Sequence, residues 1–388
     1  MDRTTAPAVS APPLRRIARD WGRIGCLGFG GPPAHVAMLR ELCVERRRWI
    51  DDTTFEHDVA TTNLLPGPGS TQLAILCAWR LRGGPGALVG GLAFILPGLV
   101  LIIALAAVFL GSPPPWIRGI GAGAGAAVVA VALHAGAALV PASASRTRGW
   151  SRVRWSAYVV AGAAAAATLG AWLVLVLIAC GVLERLVRHG MPTALGDLTG
   201  GIPLAMLVTS AGGLGALSWT AFKVGALSYG GGFVIVPLMQ GDAVAHHHWL
   251  TKPEFLDAVA LGQATPGPVV HTVAAVGYAA HGIGGALLAA VVAFAPSFSF
   301  VLIGAGRLER WRDAPGPRAF LLGAGPAAIG AMLGSAVPLA AGLHAAWQVA
   351  VVVAAAGLLF VARRGVVSAI ALGAVAGLSA AALGAPLH

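Results

Sequence analysis

The sequence predicts an all-α polytopic membrane protein made of two inverted-topology repeats with Gly/Pro-broken helices. Three observations carry that prediction. First, the 388-residue chain is 57% hydrophobic and only 11% charged, with a mean hydropathy of +0.79. Soluble domains hold about a quarter charged residues. Second, uncharged runs recur at 86–111, 155–183, 284–306, 319–343, 345–362 and 365–388. Each meets or nearly meets the ~20 residues of a helical crossing. Third, Gly30-Gly31, Trp49, Phe55 and Pro66-Gly67-Pro68 return without a gap as Gly230-Gly231, Trp249, Phe255 and Pro266-Gly267-Pro268. Glycine and proline interruptions at matching places in a duplicated apolar chain point to a binding site where the repeats meet.

The elements follow in order. Residues 1–16, rich in Pro and Arg and without an apolar core, read as a cytoplasmic lead-in rather than a signal peptide. The first repeat, 17–190, holds a Gly-broken segment at 17–39, a Pro-broken one at 54–80, helices at 86–110 and 116–140, and an apolar stretch at 155–187 that divides into two short helices. A further helix near 200–216 joins the halves. The second repeat, 200–388, answers with 217–240, 254–281, 284–306, 318–342 and 345–385, the last split at Arg363-Arg364. About 10–12 crossings result. The repeat persists through Gly84/Gly284, Phe94/Phe294 and Arg118/Arg318, while Pro97 and Pro296 slip by one residue.

The charges invert between the halves. Arg40, Arg46, Arg47, Arg48, Arg80 and Arg82 stand where the second half carries His246, His247, His248 and His281. Conversely, the uncharged Gly111–Pro115 connection is matched by Arg307, Arg310 and Arg312. Arg-rich loops stay in the cytoplasm, so one half is upside down relative to the other. Arg23/Lys223 and Arg118/Arg318 do not follow this split. The net charge of +11 resides in such loops, so no nucleic-acid partner is implied. Four scattered cysteines (Cys26, Cys43, Cys77, Cys180) show no CxxC spacing. They imply neither disulfides nor a metal site and read as packing residues.

Proline cannot continue a helix and pushes its predecessor out of helical conformation. Each Pro-Gly-Pro therefore sets two half-helices meeting inside the membrane. The half-helix after it offers the N–H groups of Gly69, Ser70, Thr71 and Gln72, or of Val269, Val270, His271 and Thr272. Lipid cannot satisfy these donors, and a helix N-terminus suits an anion. The expected lining is Gly30, Gly31, Asn63, Pro66, Gly67, Pro68, Ser70, Thr71, Gly230, Gly231, Gln263, Pro266, Gly267, Pro268, His271 and Thr272. The competing reading is a proline kink and small-residue packing, which is also the reading for Gly121–Gly125. Arg23 and Lys223, at equivalent places, either attract the anion or snorkel to headgroups. Glu41, Glu45, Glu56, Asp58, Glu184, Asp242, Glu254 and Asp257, with His35, His57 and His271, are candidates for proton relay, but the plain reading for each is a solvated helix end. His246–His248 read as exposed loop rather than a metal tract. No nucleophile–base pair, phosphate loop or cofactor motif is present in the sequence.

Phe29-Gly30-Gly31, Trp49 and Pro66-Gly67-Pro68, then Tyr229-Gly230-Gly231, Trp249 and Pro266-Gly267-Pro268, resemble the hallmark of the chromate ion transporter (CHR) family in its long two-domain form. Tyr229 departs from the family's phenylalanine. The resemblance covers nearly the whole chain. It implies a multi-pass protein of the bacterial inner membrane, not an enzyme, that exports chromate with the proton-motive force and confers chromate resistance. Partners would be the oxyanion, membrane lipid and a second copy in a homodimer. Sulfate shares chromate's shape and charge, so another oxyanion remains an alternative cargo. A passive anion channel and a membrane-embedded enzyme are the alternatives of other classes.

Overall fold

The computed structural model describes residues 11–62, 65, 67–111, 113–145, 147–169, 172–189, 213–228, 235–304 and 315–387. The helix expected near 200–216 lies almost wholly outside them, as do Arg307, Arg310 and Arg312. The described residues form helices and no strands. In the first half these are α1 (Leu14–Leu27), α2 (Pro32–Arg40), α3 (Asp52–Thr62), α4 (Gly69–Phe109), α5 (Pro115–Ala144), α6 (Trp150–Thr168) and α7 (Leu173–His189). In the second they are α8 (Leu214–Leu227), α9 (Ile235–Gln240), α10 (Lys252–Ala264), α11 (Thr272–Gly304), α12 (Pro315–Gly334), α13 (Ala336–Ala340), α14 (Ala346–Ala356) and α15 (Val366–Ala382).

The broken segments fold back on themselves. Asp58 on α3 receives two hydrogen bonds from Arg80 on α4, at 2.5 and 2.7 Å. At 1.5 Å per residue a straight course would hold these positions about 33 Å apart. Hence α3 and the start of α4 are the arms of a helical hairpin, with Gly67 and Pro68 at its tip. Trp21 of α1 stacks on Trp49 beyond α2 at 6.4 Å, so α1 and α2 form a second hairpin with Gly28–Gly31 at the tip. Lys223 of α8 meets Asp242, just past α9, at 2.5 Å, closing the matching hairpin of the second half. In α10 and α11, a Cβ on Gly262 would lie 1.9 Å from the Thr272 hydroxyl across the fourth tip.

α4 reverses again. Arg82 and Gly83 leave helical geometry, Gly83 at φ +61°, ψ −147°. A Cβ on Gly90 would meet the Ala78 Cβ at 2.4 Å, although twelve helical residues span about 18 Å. Gly282 in α11 repeats the turn at φ +61°, ψ −152°. Only glycine enters that region without strain. The helices drawn at 86–110 and 284–306 are thus the second arms of α4 and α11. Both halves also carry a π-type turn after α2 or α9, closed by Arg47 N–H to Leu42 O and His247 N–H to Asp242 O. Arg48 and His248 follow it, both at φ +52°.

Among the described residues, four helices qualify for a membrane by length and composition: Gly69–Phe109, Pro115–Ala144, Val269–Gly304 and Arg318–Ala340. Ala346–Val361 and Val366–Ala382 are shorter and apolar. Leu88, Leu92, Leu96 and Val100 form an exposed stripe at helical spacing on α4, and Ile283, Leu287 and Val291 do so on α11. An apolar stripe left outward on a folded surface suits lipid.

Glycine lets the halves interlock. A Cβ on Gly123 of α5 would sit 2.0 Å from Gly373 O, and one on Gly377 of α15 would sit 1.9 Å from Gly119 O. Gly162 of α6 and Gly330 of α12 abut Ala327 O and Val159 O in the same manner, each at 1.9 Å. First-half α5 and α6 are therefore clamped by second-half helices at backbone contact. The Gly121–Gly125 run packs throughout, against Asp257, α15 and Leu256.

Candidate functional site

The tips of the hairpins meet. At the first, Gly30 and Gly31 adopt φ +100° and +74°; at the two Pro-Gly-Pro tips Gly67 and Gly267 adopt +116° and +93°. All are conformations that side chains with a Cβ rarely take. The Gly267 N–H donates to Gly28 O at 3.0 Å, joining a second-half proline tip to the first-half glycine tip. Reciprocally, a Cβ on Gly67 would lie 3.2 Å from Gly225 O, at the end of α8. Gly98, on the second arm of α4, leaves room for the same junction. A Cβ there would stand 2.1 Å from Pro266 O and 2.8 Å from His271 Nδ1.

His35 is a strut that the sequence did not single out as one. Its Nε2 lies 2.9 Å from Gly28 O and its Nδ1 3.2 Å from the Ser70 hydroxyl. The ring therefore ties the two first-half tips together, edge-on to Phe94. The second half repeats the aromatic contact from another position. His271 stands edge-on to Phe294 with ring centroids 5.4 Å apart. It is fully buried beside the Ile95 backbone and within electrostatic reach of His35. By geometry neither ring nitrogen has a hydrogen-bond partner among the described residues, the Ile95 backbone being the nearest candidate.

Polar groups are left over at this junction. Buried atoms without a partner among the described residues include Thr71 Oγ1, Ser228 Oγ, Gln263 Nε2, Thr265 Oγ1 and Ser297 Oγ besides His271. Buried polar atoms ordinarily find partners, so the cluster marks a place for a polar guest or water. The N–H groups of Gly69, Ser70, Val269 and Val270 have no hydrogen bond among the described residues. The expected donor set is narrower than the sequence reading. Thr71 and Gln72 donate to Pro68 O at 2.9 and 3.0 Å, and His271 to Pro268 O at 2.9 Å, because each first turn tightens onto the proline carbonyl. The Thr272 hydroxyl turns back to Val269 O at 2.8 Å.

The remaining expected residues divide as follows. Asn63, Pro66, Gly230 and Gly231 lie outside the described residues. Arg23 is exposed on α1, whereas Lys223 is half-buried, bonded to Asp242 and set over the Trp219 ring. Reading the carboxylates as solvated helix ends holds for Glu41, Glu45 and Glu56, which are exposed among arginines. It fails for Asp58, Asp242, Glu184 and Asp257, all buried. The first three hold cations: Arg80, Lys223, and Arg154 with Arg188. A buried charge requires such a partner. Asp257 has none among the described residues; its Oδ1 is unpartnered against Gly121 of α5. Cys43, Cys77 and Cys180 are buried, while Cys26 is exposed. His246–His248 are exposed, and among the described residues no group of three His, Cys, Asp or Glu could hold a metal ion. Outside the membrane segments, the Thr54 hydroxyl and N–H hold the Asp51 carboxyl below its ordinary range.

Comparison with known proteins supplies the family. The chromate transporter profile matches residues 15–184 and again 215–378. The chromate transport protein of Cupriavidus metallidurans is 32% identical over 368 residues, covering 87% of this chain and 86% of that protein. The probable chromate transport protein of Synechococcus elongatus is 31% identical, covering 84% of each chain. The chromate transport protein of Pseudomonas aeruginosa is 29% identical, covering 87% of this chain and 84% of that protein. No solved structure matches the chain.

Proposed function

Since the chain belongs to the chromate transporter family, we propose that it exports chromate across the bacterial inner membrane, drawing on the proton-motive force and conferring chromate resistance. The observation that carries the site is the Gly267 N–H to Gly28 O contact. It brings a proline tip of one half and a glycine tip of the other to one place, where unpartnered amides and hydroxyls collect. Chromate is a tetrahedral dianion that only accepts hydrogen bonds. The amides of Gly69, Ser70, Val269 and Val270, unpartnered among the described residues, are donors at positive helix ends, and Thr71, Thr265 and Gln263 add side-chain donors. One exposed helix end contributes only about 0.3–1 kcal/mol, so two facing ends with hydroxyls suit a dianion better than one.

The halves in this reading are inverted repeats that rock against each other around the tips. The exchange of Arg loops for His loops supports it, and so do the identical turns at Gly83 and Gly282. Asp257 supports proton coupling. It is a buried carboxylate facing glycine on α5, with Glu254 its acidic neighbour on α10. An intramembrane carboxylate without a fixed cation is free to load and release a proton. The test is chromate accumulation in energised everted vesicles, with and without a protonophore and with sulfate as competitor. Accumulation that collapses with the gradient and resists sulfate supports the reading. Gradient-independent equilibration indicates a channel, and equal competition by sulfate indicates a general oxyanion carrier.

A further inference from the structure

Away from the hairpin tips, a cavity of about 670 Å³ opens at the end of α6 and α7. Its walls are Ser145, Arg148, Ser151, Arg154, Val187 and Arg188. We propose that it binds the phosphodiester headgroup of an anionic phospholipid. Arg154 and Arg188 are held in place by one carboxylate. Glu184, 3% exposed, accepts Arg154 at 2.8 and 3.1 Å, Arg188 at 2.6 Å and the Tyr158 hydroxyl at 3.1 Å. Three arginines against Glu184 leave two positive charges in the pocket. Arg148 is exposed with its side chain uncommitted among the described residues, and its backbone N–H and C=O are engaged by the Ser151 hydroxyl. The guanidinium fork suits phosphate oxygens.

The place in the fold argues for lipid over a free ion. α6 is uncharged from Trp155 onward and α7 is uncharged until Glu184, so the cavity lies where both helices leave the hydrocarbon. Trp150 beside it is 81% exposed, as an interfacial anchor would be. Val187 of the cavity wall, Leu183 on α7 and Val153 and Val160 on α6 are exposed, a track that acyl chains can follow. Basic pockets between membrane helices near the cytoplasmic surface bind acidic headgroups.

The probes are phosphatidylglycerol, phosphatidylcholine and inorganic phosphate, offered to the full-length protein, with retained lipid read by native mass spectrometry. Wild type should retain phosphatidylglycerol over phosphatidylcholine, and millimolar inorganic phosphate should not displace it. Arg148→Ala should weaken retention about fivefold, and Arg148→Glu should weaken it further. Arg152→Glu, an exposed change of the same charge outside the cavity, should leave it intact. Equal retention of both lipids, full retention by Arg148→Glu, equal loss in Arg152→Glu, or displacement by inorganic phosphate overturns the assignment.

Discussion

Replacing Gly267 by alanine should disable transport without preventing insertion. The residue sits at φ +93°, where a Cβ costs about 1–3 kcal/mol in backbone strain. The added carbon would also stand 3.0 Å from His271 Cε1. A tip that shifts to relieve either strain loses the 3.0 Å bond to Gly28 O, worth about 0.5–1.5 kcal/mol. Held in place the tip carries the strain and released it loses the bond, so the cost is up to about 1–3 kcal/mol, or roughly five- to 160-fold in rate or loading. The assay is chromate accumulation by energised everted vesicles, normalised to inserted protein by immunoblot. Gly282→Ala is the comparison: it shares the left-handed φ, at +61°, but a Cβ there meets nothing within 4 Å. It should tax folding and spare transport per molecule. Gly267→Ala at wild-type rate, or Gly282→Ala equally inactive per inserted molecule, would refute the claim that the tip junction is the site.

Three further outcomes follow from the same geometry. Asp257→Asn should keep the protein folded, because a neutral amide suits the unpaired site, yet abolish accumulation against a gradient; concentrative uptake by this variant removes Asp257 from coupling. Arg80→Ala should lower thermal stability in detergent by up to about 3 kcal/mol, since it strands the Asp58 carboxylate, with the loss held to the low end by Arg80's own 32% exposure. An unchanged melting temperature would show that this pair does not hold the first-half hairpin. Cysteines placed at Arg48 and His248 should label from opposite sides of the membrane with an impermeant maleimide; labelling from one side ends the inverted-repeat reading.

The sequence announced the interruptions because Gly and Pro carry their conformational consequences locally. Gly67 and Gly267 take positive φ on that account alone. It also announced the apolar arms, since hydropathy along a helix is a local property. What it could not announce is where the arms go after the break. Whether α3 and α4 run on or fold back is decided by Asp58 and Arg80, 22 residues apart, and nothing in either residue names the other. The burial of Asp242, Glu184 and Asp257 was hidden for the same reason: a carboxylate near a helix end looks solvated until a neighbouring helix covers it. His35 carried a weak signal, a histidine four residues past a double glycine. Ile235 stands at its counterpart, so comparison of the halves pointed away from it. His271 was singled out because it lies in the first turn after Pro-Gly-Pro.

The glycine clamp between α5 and α15 has a consequence for biosynthesis. The small-residue groove of α5 is complete at Ala144, while the helix that fills it begins only at Val366. Until α15 is made, the first half must wait in the bilayer with that groove open toward acyl chains or the insertion machinery. Chains released before α15 would present that groove to membrane quality control, so truncation ahead of Val366 should shorten cellular half-life.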